Sequence, residues 1–319
     1  MFALGFLWIF ISSNTNKSEI YIKTGDTKDS LMVALLRNKS LKSPASFRLS
    51  KALIELPKVY PGKYLVKDGM NNRELINMFK YGKQTDISFR FGNNIFPFEL
   101  FGALGRKFEA DSAAFQKALM NPVKLEALGL DSSNLLAVFW SDTYHFPWTI
   151  NPDKLVDFFI NDQQRFWDSD RFNKLAATGL KSSKEVYILA SIIEKEAVKA
   201  EELPIMAGVY LNRLRINMPL QADPTVKYAS GIKFMKRVTG ILDIESPYNT
   251  YLHTGLPPGP IGIASKKGVD AVLNYNPNEY LYFCAKEDFS GYHNFAKTYK
   301  DHQANAKLYR TALDKKGIR

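Results

Sequence analysis

The period of the apolar residues changes several times along the chain, and each change predicts an element. "EIYIKTGDT" alternates apolar and polar positions and reads as a strand closed by Gly25-Asp26, with Asp26 set to cap a helix over about 29–37. "PASFRLSKAL" continues as a second helix and "GKYLVKDGM" as a second strand. A helix follows on "NNRELINMFKYGK", where Asn71 and Glu74 have capping-box spacing and Gly82 marks the end. The order strand, helix, helix, strand, helix predicts a small α+β module. "ISFRFG" at 87–92 is a further strand, and residues 95–135 read as helix in pieces. An aromatic loop holds Phe139, Trp140, Tyr144, Phe146 and Trp148, and Asn151-Pro152 then opens another helix. Core packing accounts for most of these aromatics, and a sugar-stacking platform is the sharper alternative.

From residue 182 the pattern becomes denser. Ser182 and Glu185 have capping-box spacing, and the helix they open carries "YILASIIEKEAVKA". A second helix starts at Pro204. "NMPLQADPTVKYA" reads as a turn-rich loop, and "SPYNTYLHTGLPPGPIG" at 246–262 has too many prolines and glycines for a helix or a central strand. A long irregular stretch inside a domain is usually functional. "EYLYFCA" reads as a strand, "SGYHNF" as a turn and short strand, and 297–314 as a closing amphipathic helix.

One helix departs from its own pattern. At 100° per residue, Val186, Leu189, Ile192, Ile193, Ala197 and Ala200 share a face, and Glu196 falls inside that stripe. Glu194 sits at the edge, near Tyr187, Ala190 and Ser191. A carboxyl placed where a hydrophobe is expected has its pKa raised, and a carboxyl kept protonated near neutral pH suits a general acid. The competing reading is a structural glutamate paired with a base such as Arg213. Periodicity leaves both open.

Composition narrows the classes. The net charge of +11 points to an anionic partner, but the basic residues are scattered and no nucleic-acid motif is visible, so no nucleic-acid partner is expected. Cys284 is the only cysteine, which excludes an intramolecular disulfide. His145, His253, His293 and His302 show no ligand spacing, so neither a metal nor a cofactor is expected. The opening run "MFALGFLWIFI" is too short to cross a membrane, for which ~20 residues are needed. We expect it to be part of a membrane anchor whose start lies upstream; a buried core segment is the alternative.

"LASIIEKEA", "VYLNRLRINMPLQADPTVKYA", "SPYNTYLHTGLPPGPIGIAS" and "YLYFCAKEDFSGYHNFAKTYKDH" resemble, in order and spacing, the endolytic murein transglycosylases of the YceG-like family. "PGKYLVKDGMNNRELINMFKYGK" and "FWSDTYHF" resemble its upstream segments, so the likeness spans roughly 20–315. It implies an α+β chain: a small LysM-like N-terminal module followed by a mixed α/β catalytic domain of the YceG-like type. The expected segments are a partial anchor at 1–12, a linker at 13–18, the LysM-like module at 19–85, a connecting subdomain at 86–170 and the catalytic domain at 171–319.

The resemblance further implies endolytic cleavage of the β-1,4 bond between N-acetylmuramic acid and N-acetylglucosamine in nascent peptidoglycan, leaving 1,6-anhydromuramic ends. The family's catalytic glutamate falls on Glu196, with Glu194 as the alternative. The implied setting is the inner (cytoplasmic) membrane, with a single-pass anchor and the catalytic domain on the periplasmic side. The implied partners are glycan strands and possible peptidoglycan synthases. Gln221, Asp223 and Thr225, with Ser246, Tyr248, Asn249 and Thr250, are candidates for binding sugar; each could instead bond only within its loop. Ala222 stands where the family often has threonine. Two rival functions stay open: a hydrolytic muramidase with Asp223 as second carboxylate, and a non-catalytic peptidoglycan-binding scaffold.

Overall fold

A computed structural model of the chain describes residues 12–232 and 240–317. The apolar run taken for a partial anchor, residues 1–11, lies outside them. No helix among the described residues is long and apolar enough to cross a membrane.

In chain order the elements are β1 (Ser18–Ile22), α1 (Lys28–Arg37), α2 (Pro44–Leu53), β2 (Gly62–Val66), α3 (Asn72–Lys80), β3 (Ile87–Arg90), α4 (Pro97–Lys107), α5 (Ser112–Leu119) and α6 (Pro122–Glu126). A 3-10 segment (Ser132–Val138), β4 (Thr143–Phe146), α7 (Pro152–Phe166), α8 (Ser169–Thr178) and α9 (Ser183–Glu196) follow. After a 3-10 turn (Ala200–Glu202) come α10 (Leu203–Arg215), α11 (Asp223–Ser230), α12 (Lys266–Leu273), β5 (Tyr282–Ala285), β6 (His293–Ala296) and α13 (Tyr299–Lys315). The strands form three two-stranded sheets, β1-β2, β3-β4 and β5-β6.

The chain forms two compact units. The first holds the described residues up to Phe89 together with Phe101–Gln116 and Thr143–Leu155. Its β1 and β2 are antiparallel, with Ile20 opposite Tyr64, and their inward positions Ile20, Ile22, Tyr64 and Val66 join Leu31, Leu35, Phe47 and Phe79 in one core. The strand, helix, helix, strand, helix order expected there is present. The first helix is capped one residue later than expected: Thr27 accepts from Asp29 N and Ser30 N, while Asp26 accepts from Lys23 N. The Asn71–Glu74 capping box forms in both directions. Residues 13–18, read as a linker, are instead tied into this module. Asn14 and Thr15 are buried, Thr15 bridges to Leu41, and the Asn14 side chain bonds Asn72 at 2.7 Å and Ser43 N at 2.6 Å. A run of polar residues resembles a linker by composition, but here its amides close the backbone accounts of the module.

The second unit holds Arg90–Leu100, Lys117–Asp142 and the described residues from Val156 on, so the segment expected at 86–170 contributes to both units. Its core is built on α9, which packs against α10, α11 and α12. Phe139 and Trp140 are part of the buried interior, with Trp140 packed on Phe166 and Tyr187, so these two aromatics are core. In the first unit Phe146 is also buried, within β4, a strand the aromatic run concealed.

Candidate active site

Helix α9 starts on Ser182, whose hydroxyl accepts from Glu185 N at 3.3 Å. Only half of the expected box forms, because the Glu185 carboxylate goes to Lys181 N at 2.7 Å. Every residue from Val186 to Ile193 is buried, so the helix is covered on all sides rather than along one stripe. The stripe also stops earlier than its period suggests. Ala197 is already extended (φ −81°, ψ 127°) and Ala200 lies in the 3-10 turn, so neither continues the helical face. Glu196 is therefore the last helical residue. In the last turn the helix dipole disfavours a carboxylate.

The surroundings of Glu196 come from three elements. Tyr210 of α10 donates its hydroxyl to Glu196 Oε1 at 3.3 Å. Asp223 stands in the first turn of α11, and Tyr251 of the irregular stretch donates to its Oδ1 at 2.6 Å. Burial raises the Glu196 pKa from its ordinary 4.5 to about 7, and the charge of Asp223 pushes the same way. The Tyr210 hydrogen bond and the charges of Lys227 and Arg213 oppose the rise without cancelling it. Arg213 does not pair directly with Glu196. Its buried guanidinium donates to Leu281 O at 2.7 Å and Leu220 O at 2.5 Å, bracing the chain on either side. The structural pair considered from the sequence is thus replaced by a carboxyl held against one phenol.

Glu194, two residues earlier, is engaged differently. Its carboxylate accepts from Ser265 N at 3.0 Å and from the Ser265 hydroxyl, at the start of α12. Ser265 also caps that helix by accepting from Gly268 N at 3.0 Å. A Cβ on Gly268 would come within 2.5 Å of the Glu194 carboxyl, so glycine is needed for this approach. Burial raises the Glu194 pKa, against the lowering effect of the Ser265 bonds.

The loop candidates divide. "LQADPT", expected as loop, enters α11 at Asp223. Thr225 and Thr250 are buried and bonded to each other at 2.8 Å, and Thr250 Oγ1 also accepts from Ala222 N. Buried Asn249 donates to Leu242 O and Ile244 O. These three side chains are spent on holding the backbone, not presented to a ligand. Ser246 Oγ accepts from Tyr248 N, and Tyr248 donates to Ser133 O. Gln221 is exposed at a left-handed φ of 47°. "GLPPGPIG" is a packed strap: a Cβ on Gly259 would lie 2.2 Å from Ser133 O, and one on Gly262 2.0 Å from Asn93 O.

Beside these groups is a cleft of about 550 Å³, whose walls include Asn93, Asn94, Phe96, Lys195, Lys227 and Tyr228. Of the candidate carboxyls Glu194 lines it; Glu196 and Asp223 do not, though their chain neighbours Lys195 and Pro224 do. Among the described residues no cluster of His, Cys, Asp or Glu could hold a metal ion. Sequence reasoning missed Tyr210, Tyr251, Lys227 and Tyr228. Tyr210 had a usable signal, since a phenol inside an apolar helix face needs a polar partner.

The arrangement can keep one carboxyl protonated near neutral pH next to a second that stays fixed by a phenol. Residues 20–308 match the YceG-like family. A protein of Bacillus subtilis (strain 168) named endolytic murein transglycosylase is 41% identical over 135 residues, 42% of this chain and 37% of that protein. A protein of the same name from Streptococcus pneumoniae (strain D39) is 29% identical over 209 residues, 62% of this chain and 37% of that one. The match thus spans little more than a third of the length of these relatives. A crystal structure of a yceG-like protein from Listeria monocytogenes superposes with a TM-score of 0.61, covering 90% of this chain and 98% of that one at 24% identity, a likeness of fold.

Proposed function

The chain belongs to the YceG-like family, and from that premise we propose that it cleaves peptidoglycan glycan strands internally as a lytic transglycosylase. The bond is the β-1,4 link between N-acetylmuramic acid and N-acetylglucosamine. The observation that carries the reading is the half-buried Glu196 carboxyl, held against Tyr210 with its pKa raised to about 7.

Protonated Glu196 donates to the glycosidic oxygen as the C1–O bond breaks, and the electron pair leaves with that oxygen. Positive charge grows on C1 and the ring oxygen. Asp223, fixed by Tyr251, supplies a negative field near that charge. Glu196, now a carboxylate, takes the proton of the muramic C6 hydroxyl, whose oxygen closes on C1 to give the 1,6-anhydro ring. One residue thus acts as acid and then as base. Residues 19–85 serve as a LysM-like module, and the protein works at the outer face of the cytoplasmic membrane beside the peptidoglycan synthases.

A second reading is favoured by one observation. Asp223 lies close enough to raise the Glu196 pKa, and two carboxylates are what a hydrolytic glycosidase uses. Mass spectrometry of the products from purified glycan strands separates the two. The transglycosylase leaves ends lighter by one water than reducing ends; reducing ends alone overturn the anhydro mechanism in favour of hydrolysis. No cleavage by the folded protein leaves the scaffold function.

A further inference from the structure

The segment "SGYHNF" lies outside the reaction, yet it grips the chain next to Glu196. Its His293 opens β6. Glu202 closes the 3-10 turn that joins α9 to α10, and it is only 5% exposed. His293 meets both of its carboxyl oxygens. The His293 backbone N–H donates to Glu202 Oε1 at 2.9 Å, and the ring Nδ1 lies 2.9 Å from Oε2. A buried carboxyl needs such partners. Val198, Ala200 and Glu201 of the same connection are exposed, so Glu202 is its buried anchor. Tyr292 adds a tie at the surface, donating to Glu201 Oε1 at 2.8 Å.

The place of this anchor gives it consequence. Glu202 stands between Glu196, the last residue of α9, and Tyr210 of α10, which donates to Glu196. The hairpin of β5 and β6 also reaches Tyr210 through rings. His293 meets Phe283 edge-on, with centroids 5.5 Å apart, and Phe283 meets Tyr210 edge-on at 5.9 Å. Such packing fixes ring orientation. The chain leading into β5 holds the same helix by its flank, where Asn212 donates to Asn278 O at 2.8 Å and to Tyr280 O at 3.0 Å. One hairpin thus fixes the junction of the two helices and the phenol together. The Tyr210–Glu196 bond is already long at 3.3 Å, so a small shift of either helix breaks it.

We propose that Glu202 and His293 are positioning residues, whose pairing seats the α9–α10 junction so that the Glu196 carboxyl stays against Tyr210 and shielded from water. This rests on the reading of Glu196 as proton donor. The two residues act through Glu196 and not on the glycan.

The test compares the full chain with its Glu202→Ala, Glu202→Gln and Glu202→Asp variants. It reads the Glu196 carboxyl midpoint by carbon-13 NMR, and kcat and KM for glycan cleavage. Glu202→Ala is expected to lower kcat about ten- to a hundredfold with KM unchanged, the order that misplacement by about 1 Å costs. It is also expected to bring the Glu196 midpoint down from about 7 toward 4.5, because burial is the largest cause of the rise. Glu202→Gln is expected to keep both values: its amide oxygen accepts from His293 N–H, and its NH2 donates to Nδ1 in the other ring tautomer. Glu202→Asp draws the carboxyl back and keeps its charge. It serves where Glu202→Ala does not fold, and is expected to change both values in the same direction by less. An unchanged midpoint and kcat in folded Glu202→Ala or Glu202→Asp, or a loss in Glu202→Gln as large as in Glu202→Ala, overturns the positioning role while the Glu196 reading stands. A parent midpoint near 4.5 overturns Glu196 as proton donor and the positioning role with it.

Discussion

Glu194 and Glu196 leave the last turn of the same helix, yet one faces the start of α12 and the other faces Tyr210 and Asp223. The Glu194 carboxylate is met by a backbone N–H and a hydroxyl of Ser265. Glu196 meets a single phenol at 3.3 Å and a neighbouring negative charge. The first environment solvates a charge; the second resists one. Both carboxyls have raised pKa values through burial, but only for Glu196 does a neighbouring carboxylate add to the rise. What separates the two carboxyls is the donor count around each, not their places on a helical wheel.

The largest expected effect is on activity. Glu196→Gln should lower glycan cleavage by about 10²–10⁴-fold while the protein stays folded, whereas Glu194→Gln keeps turnover and loses stability. Release of soluble fragments, paired with thermal melts, reads both.

The next effect is on stability and has the opposite sign. A folded-state pKa raised from 4.5 to about 7 means the native state holds its proton more tightly than the unfolded chain. Native stability then falls as pH rises from 4.5 through 7. Glu196→Gln removes that loss, so the variant should be more stable than the parent at pH 8 by at most about 3 kcal/mol. The gap should close below pH 4.5, and urea unfolding at the two pH values checks it.

The Glu194 side can be broken from its partner. Gly268→Ala places a Cβ 2.5 Å from the Glu194 carboxyl and should cost about 1–3 kcal/mol. Combined with Glu194→Ala, the same substitution should cost less, and a double-mutant cycle measures the coupling.

The smallest effect sharpens the Glu196 side. Asp223→Asn removes a negative neighbour, lowers the Glu196 pKa, and should move the alkaline limb of the pH–rate profile to lower pH. Burial, the larger cause, remains.

Much of this comparison could be read in the chain. The helix, its cap residue and the place of Glu196 inside the apolar stripe, with Glu194 at its edge, followed from period and spacing. The surroundings of the two carboxyls did not. Periodicity extended the stripe to Ala200, but the backbone turns at Ala197, and a helix buried on every side has no stripe to interrupt. Asp223-Pro224 suits a turn and a helix start equally, and the structure uses it as a helix start. Helix α12 was not foreseen, because Gly268 occupies the position where a capping glutamate would announce it, and Glu194 arrives from 71 residues away. The threonines and Asn249 look like sugar ligands by type; only their burial shows that they bind their own backbone.

The most direct test is a carbon-13 NMR titration of the glutamate side-chain carboxyls in the intact protein, with Glu196 assigned by comparison with Glu196→Gln. The account predicts a Glu196 midpoint near pH 7. A midpoint near the ordinary glutamate value of 4.5 would contradict it, because the carboxyl would then carry no proton to donate at neutral pH.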